Sequence, residues 1–233
     1  MKKYFEKFRL VEVQSTFYKL PRVETSEKWR KNAPKEFEFT VKAWQAITHP
    51  LTSPTWRRAR IRFSVEEADR YGFLRPTSQV FEAWEKTKKI CNVLEAKVCV
   101  IQCPASFTAN EQNIRNAKKF FSEIERGELT VAWEPRGKSW TAEKVKSLCE
   151  ECELTHCVDP FATEPAYFAD KTVYFRLHGK PPGTKMYYYK YSNEDLNWLL
   201  EQVRHLEAEG LEVYCLFNNI YMREDAEKFS HLI

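Results

Sequence analysis

The chain has 233 residues, 43% of them hydrophobic, enough for one sizeable core without disulfides or metals to staple it. Its 37 Lys and Arg against 33 Asp and Glu leave +4, with no basic tail or polybasic patch to mark a nucleic-acid or membrane binder. No run of 18 apolar residues occurs, so no membrane-spanning helix is expected.

From the N-terminus, Met1 to Arg9 carries no apolar stretch of the kind a secretory signal needs, which gives a cytoplasmic expectation. In a reducing compartment the seven cysteines are read as free thiols. Strands are predicted at Leu10–Tyr18, Phe37–Trp44, Lys97–Gln102, Thr130–Glu134, Thr155–Asp159, Thr172–His178 and Leu211–Phe217. Helices are predicted at Thr25–Asn32, Ser78–Leu94, Asn110–Arg126, Thr141–Glu151, Asn193–Glu209 and from Arg223 onward. Gln45 to Thr77 reads as a long, partly helical excursion within a single domain spanning 1–233. Gly127 and Gly210 suit left-handed positions after helices, and Pro21, Pro34, Pro104 and Pro135 fall beside strands.

Strands alternating with helices predict βαβ units and a parallel sheet. No Gly-x-Gly-x-x-Gly turn follows a strand and no P-loop occurs, which removes the usual dinucleotide and nucleotide readings. Alternate side chains along a strand point to opposite faces. On that phase Glu12, Gln14 and Thr16 share one face of the first strand, Thr40 and Lys42 one face of the second, and Tyr174, Arg176 and His178 one face of the sixth. Glu134 and Arg136 follow the same pattern. A sheet covered on both faces would be apolar on both; ionisable groups at successive strand ends instead predict a TIM-like (β/α) barrel whose C-terminal mouth gathers them.

Several chemistries fit this mouth. Glu12, Glu134 and His178 are the candidates for proton transfer. Lys42, Arg136 and Arg176 are cations suited to a phosphate, sulfate or carboxylate, with Gln14, Tyr18, His49, Gln102, Asp159 and Asn218 as further substrate contacts. The alternative is an internal ion-pair network. Glu12, Glu134, Asp159, His49 and His178 also supply enough donors for a divalent metal, although no His-x-His or His-Glu-x-x-His spacing occurs. No cofactor is otherwise expected. Cys149 and Cys152 lie inside a helix, and with Cys157, Cys99 and Cys103 they read as core. Trp56-Arg57-Arg58-Ala59-Arg60, with Arg62 and Phe63, is a solvated face, a lid or a stacking surface for nucleic acid, the last not favoured.

Longer segments carry a family resemblance. They are Val11-Glu12-Val13-Gln14-Ser15-Thr16-Phe17-Tyr18 with Pro21; Val41-Lys42 with Thr48-His49; and Ile101-Gln102-Cys103-Pro104. Glu134-Pro135-Arg136, Arg176-Leu177-His178-Gly179, Tyr191-Ser192 and Phe217-Asn218-Asn219 follow. Together these resemble the YecE-like family, also called domain of unknown function 72. The resemblance implies a TIM barrel of unassigned activity. Relatives open with a Gly-rich strand that this chain lacks, so seven strands and a gap are expected. Ile220 stands where the family usually has Asp. The overall expectation is a barrel protein of unassigned activity, with hydrolysis of a small or medium anionic substrate, phosphate-containing or glycosidic, as the leading reading. A non-catalytic binder of an anion or nucleic acid and a divalent-metal hydrolase are the rivals.

Overall fold

In the computed structural model, which describes all residues except Met1, Arg60, Arg62 and Thr184, seven strands follow one another in parallel. They are β1 (Leu10–Val13), β2 (Glu38–Lys42), β3 (Val98–Gln102), β4 (Thr130–Glu134), β5 (Thr155–His156), β6 (Thr172–Leu177) and β7 (Glu212–Phe217). Registered pairing joins β1 to β5 in chain order and β6 to β7. The two sheets meet just after β5. There the Cys157 N–H still bonds Trp133 on β4, while Val158 bridges Phe175 on β6. The arc is therefore continuous from β1 to β7.

Helices α1 (Lys2–Phe5), α2 (Ser15–Tyr18), α3 (Val23–Asn32), α4 (Gln45–Thr48) and α5 (Trp56–Ala59) precede the longer α6 (Ser78–Leu94). After it come α7 (Glu111–Glu123), α8 (Ala142–Cys152), α9 (Asn193–Ala208) and α10 (Met222–Ser230). The N-caps Thr77, Asn110, Thr141 and Ser192 each accept a backbone N–H from the first turn, as their residue types dictate.

Outward-facing strand residues such as Phe39, Val41, Ile101, Val131 and Trp133 join the helices in the main core. A second core surrounds β6 and β7 with α9 and α10. Val98, Val100, Ala132, Cys157, Tyr174 and Tyr214 form a third, separate cluster from the opposite strand faces. This is the filled interior of a barrel, below the charged strand ends.

The first strand is shorter than its composition suggests. It ends at Val13, because the Thr16 hydroxyl bonds the Lys42 carbonyl at 2.6 Å and the chain turns into α2. Thr16 is thus not on the strand face of Glu12. β5 is likewise two residues long, since the chain changes partner after it. Among the described residues no backbone pairing joins β7 to β1; side chains span that side instead. Gln14 Nε2 donates to Asn218 Oδ1 at 2.9 Å, Lys7 pairs with Glu227, and the Tyr214 hydroxyl donates to Glu38.

The excursion between β2 and α6 holds α4, α5 and a 3-10 turn at Val65–Arg70. Trp56 is buried against Trp44 and Phe63, so the aromatic residues of this basic run are core, while Arg57 and Arg58 are exposed. Arg60 and Arg62 lie outside the described residues. Gly72 is required here: at φ +75° its N–H bonds Ala46, and a Cβ would overlap the backbone of His49 and Pro50. All seven cysteines are free, and Cys99, Cys103, Cys149 and Cys152 are buried in the main core. Cys157 faces the barrel interior instead. No helix among the described residues is long and apolar enough to cross a membrane.

Candidate active site at the strand ends

Residues two apart on β6 deliver Tyr174 and Arg176 to the interior, and β1 and β4 place Glu12 and Glu134 on either side of them. Arg176 is 0% exposed. Its Nε and Nη2 donate to the two oxygens of Glu12 at 3.0 and 2.8 Å, and its Nη1 donates to Glu134 Oε2. Tyr174 adds a hydroxyl donor to Glu12 Oε2 at 3.1 Å and accepts one from Thr40 at 2.7 Å. Every oxygen of Glu12 is therefore taken below the mouth. This part of the predicted site is an internal ion-pair network: Glu12 and Arg176 face each other and not the open end.

Glu134 connects the network to the mouth. Its Oε1 accepts from Arg136 Nε and Nη2 at 2.9 and 2.7 Å. Burial raises the cost of its charge, but Arg176 and Arg136 outweigh that and hold the carboxyl well below the ordinary range. Arg136 Nη2 also donates to His178 Nε2 at 3.1 Å, and its Nη1 to the Tyr187 hydroxyl at 3.4 Å. A guanidinium offers only donors, so in this hydrogen bond Nε2 is the acceptor and the ring N–H is on Nδ1. Asp159 Oδ2 lies 3.7 Å from that Nδ1 and accepts the His178 backbone N–H at 2.7 Å. Gly179, at φ +100°, then lets the chain turn where a Cβ would overlap the Met186 carbonyl.

Lys42 differs from the arginines. Its Nζ donates to Gln102 Oε1 at 2.9 Å and sits 4.2 Å from the centroid of Phe17. Gln102 is itself oriented, its amide donating to the Cys103 carbonyl at 2.7 Å. Among the described residues no carboxylate forms an ion pair with Lys42. Burial, then the charge of Arg176, lower its ammonium to about 8. His49 packs edge-on to Phe17 at 4.9 Å and shares a 2.8 Å hydrogen bond between Nδ1 and Thr48. Burial and the Lys42 charge push it to about 3, so it is a neutral ring.

The remaining predicted contacts occupy the rim. Tyr18 accepts from Arg58 Nη1 at 3.0 Å, which places the excursion's basic helix over it. Gln14 and Asn218 bond each other across the unpaired side. Ile220 is 55% exposed. Phe17, Tyr174 and Tyr187 are not among the site residues named from the sequence. Tyr174 was visible in the inward phase of β6, whereas nothing distinguishes Tyr187 from Tyr188 and Tyr189 beside it. Among the described residues no three His, Cys, Asp or Glu side chains are grouped to hold one ion.

Parallel strands in chain order, helices outside and charges converging at the strand ends define an α/β protein of the TIM-barrel type. The chain belongs to the DUF72 family of proteins of unknown function, whose model matches residues 1–232. It is 24% identical to the UPF0759 protein YunF of Bacillus subtilis over 93% of this chain and 79% of that protein. A crystal structure of a DUF72 protein from Thermotoga maritima superposes with a TM-score of 0.71 at 24% identity, covering 99% of this chain and 87% of the other. One from Enterococcus faecalis gives 0.72 at 22%, covering 99% and 91%. A xylose isomerase domain containing protein from Salmonella typhimurium gives 0.58 at 15%, covering 98% and 88%. At these identities the likenesses establish the fold alone.

Proposed function

We propose that the mouth is the active site of an enzyme acting on a small phosphate-bearing substrate. The observation that carries this reading is Lys42, a buried cation whose polar partner is a neutral amide oxygen. Holding a charge out of water without a directly paired counter-charge is costly; Glu134 and Glu12 favour the charge from beyond ion-pair range, and an anionic substrate would add the direct partner. Arg136 is the second contact. Its side chain is 31% exposed and is aimed by Glu134, with one Nη1 N–H left for a phosphate oxygen.

His178 is the group best placed to move a proton: Asp159 lies beside Nδ1, and Nε2, which accepts from Arg136 in the resting site, is freed when that guanidinium turns to a phosphate. Glu134 serves as a fixed anion that orients Arg136. A carboxyl held so far below its ordinary range, with both oxygens occupied, is a poor acid or base. Glycoside cleavage needs one carboxyl raised and two carboxyls facing the sugar. Glu12 and Glu134 are clamped by one arginine, so phosphate chemistry is favoured over glycosidic.

Turnover of a panel of phosphorylated sugars and phosphate monoesters, followed by phosphorus NMR, tests the reading. A converted compound, with the rate lost in His178→Gln while that variant stays folded, is the expected result. No conversion across the panel, or full activity in His178→Gln, would contradict the catalytic assignment.

A further inference from the structure

We infer that Lys42 is a nucleophile that condenses with the carbonyl carbon of a phosphate-bearing aldehyde or ketone, an inference that rests on the anion-binding reading above and names its substrate class. An amine can attack only when it is unprotonated and held still. Both conditions are built around Lys42. Its stem leaves the last residue of β2, its nitrogen is tethered to Gln102 at 2.9 Å, and Phe17 lies on the other contact at 4.2 Å. Neither partner is anionic, so neither favours the ammonium as a carboxylate would.

The other cations of the mouth act in the same direction. Arg176 and Arg136 are fixed by Glu12 and Glu134 and disfavour a positive charge on Lys42; the two carboxylates favour it and offset part of that, so burial and then Arg176 carry the net lowering. A nearby cation and desolvation are the two ways a lysine is made nucleophilic near neutrality. With the ammonium lowered to about 8, roughly a tenth of Lys42 is free amine at pH 7, about 300-fold more than in an ordinary lysine.

The chemistry balances without an added oxidant or reductant. The nitrogen lone pair forms the C–N bond while the carbonyl π pair moves to oxygen. Both amine protons pass to that oxygen, the C–O bond breaks, and water leaves with the electron pair. The product is an imine between Nζ and the substrate carbon. Protonated, Lys42 is the cation that draws the anion in; as the free amine it attacks, and the phosphate would then lie against Arg136. That contact would take Arg136 off His178 Nε2, whose lone pair can then relay a proton.

The test is reductive trapping of the full chain with borohydride in the presence of glycolaldehyde phosphate, followed by peptide mapping. Lys42 should be modified at least about tenfold more than by glycolaldehyde lacking the phosphate, and inorganic phosphate should protect it. Lys42→Arg keeps the charge and removes the amine, so it should still bind inorganic phosphate but show no adduct at position 42. Adducts confined to exposed lysines such as Lys86 and Lys146, while inorganic phosphate still binds, would overturn the imine and spare the anion site. Equal labelling of Lys42 by both aldehydes, unprotected by phosphate, would instead overturn the anion-binding reading.

Discussion

Arg176 and Lys42 are both inward cations at strand ends, yet their partners give them opposite roles. Arg176 lies between two carboxylates, so Arg176→Met would leave Glu12 buried without its counter-charge and Glu134 with Arg136 alone. A loss of about 3–5 kcal/mol in urea unfolding is expected; a loss below about 1 kcal/mol would contradict a scaffold role. Lys42→Met removes a charge that costs about 3 kcal/mol to bury, from the fall of 10.5 to about 8. Against this, Gln102 Oε1 loses its donor at about 1–2 kcal/mol. The variant should be as stable as the parent at pH 7, or more stable by about 1–2 kcal/mol. The sign with pH follows from linkage. Between about 8 and 10.5 the unfolded lysine keeps a proton that the folded one has lost, so stability contributed by this group rises with pH across that window. Lys42→Met should lack that rise, as unfolding free energies from pH 7 to 10.5 would reveal. Strong destabilisation by Lys42→Met at pH 7 would show that the protein itself, and not a ligand, provides for this charge.

At the scale of elements, capping chemistry made two helix starts readable: Thr141 and Ser192 stand where their side chains accept the first-turn N–H groups. Helix ends were less legible. The glycine signals led to Gly127 and Gly210, which do take positive φ, but α6 and α8 end on left-handed Glu95 and Glu153. Nothing in a glutamate announces that conformation. It also offers a test, because Glu153→Gly removes the Cβ strain at φ +51° while retaining the backbone acceptor for Arg126. A gain of about 0.5–1 kcal/mol in thermal unfolding is expected, and a loss would contradict the cap assignment. Strand ends were misjudged where side chains compete with the ladder, as Thr16 does by bonding the Lys42 carbonyl. The β5 region was misjudged because a change of partner strand leaves no local mark.

Across the whole molecule, period-two alternation was enough to place Glu12, Lys42, Gln102, Glu134 and Arg176 on one inner face, since the phase of a strand fixes which face a side chain takes. It could not say which of these charges satisfy one another. Depth along the barrel decides that, and depth depends on register between strands far apart in the chain. Thus Glu12 and Arg176 close upon each other beneath the mouth, while Lys42 and Arg136 are the cations assigned to a ligand in the proposed function. Calorimetric titration with inorganic phosphate, repeated in Lys42→Met and Arg136→Met, tests that division most directly. Binding to the parent protein, weakened about 10- to 100-fold in each folded variant, is the expected result. Equal affinity in all three proteins, or no binding to the parent, would contradict an anion site at the strand ends.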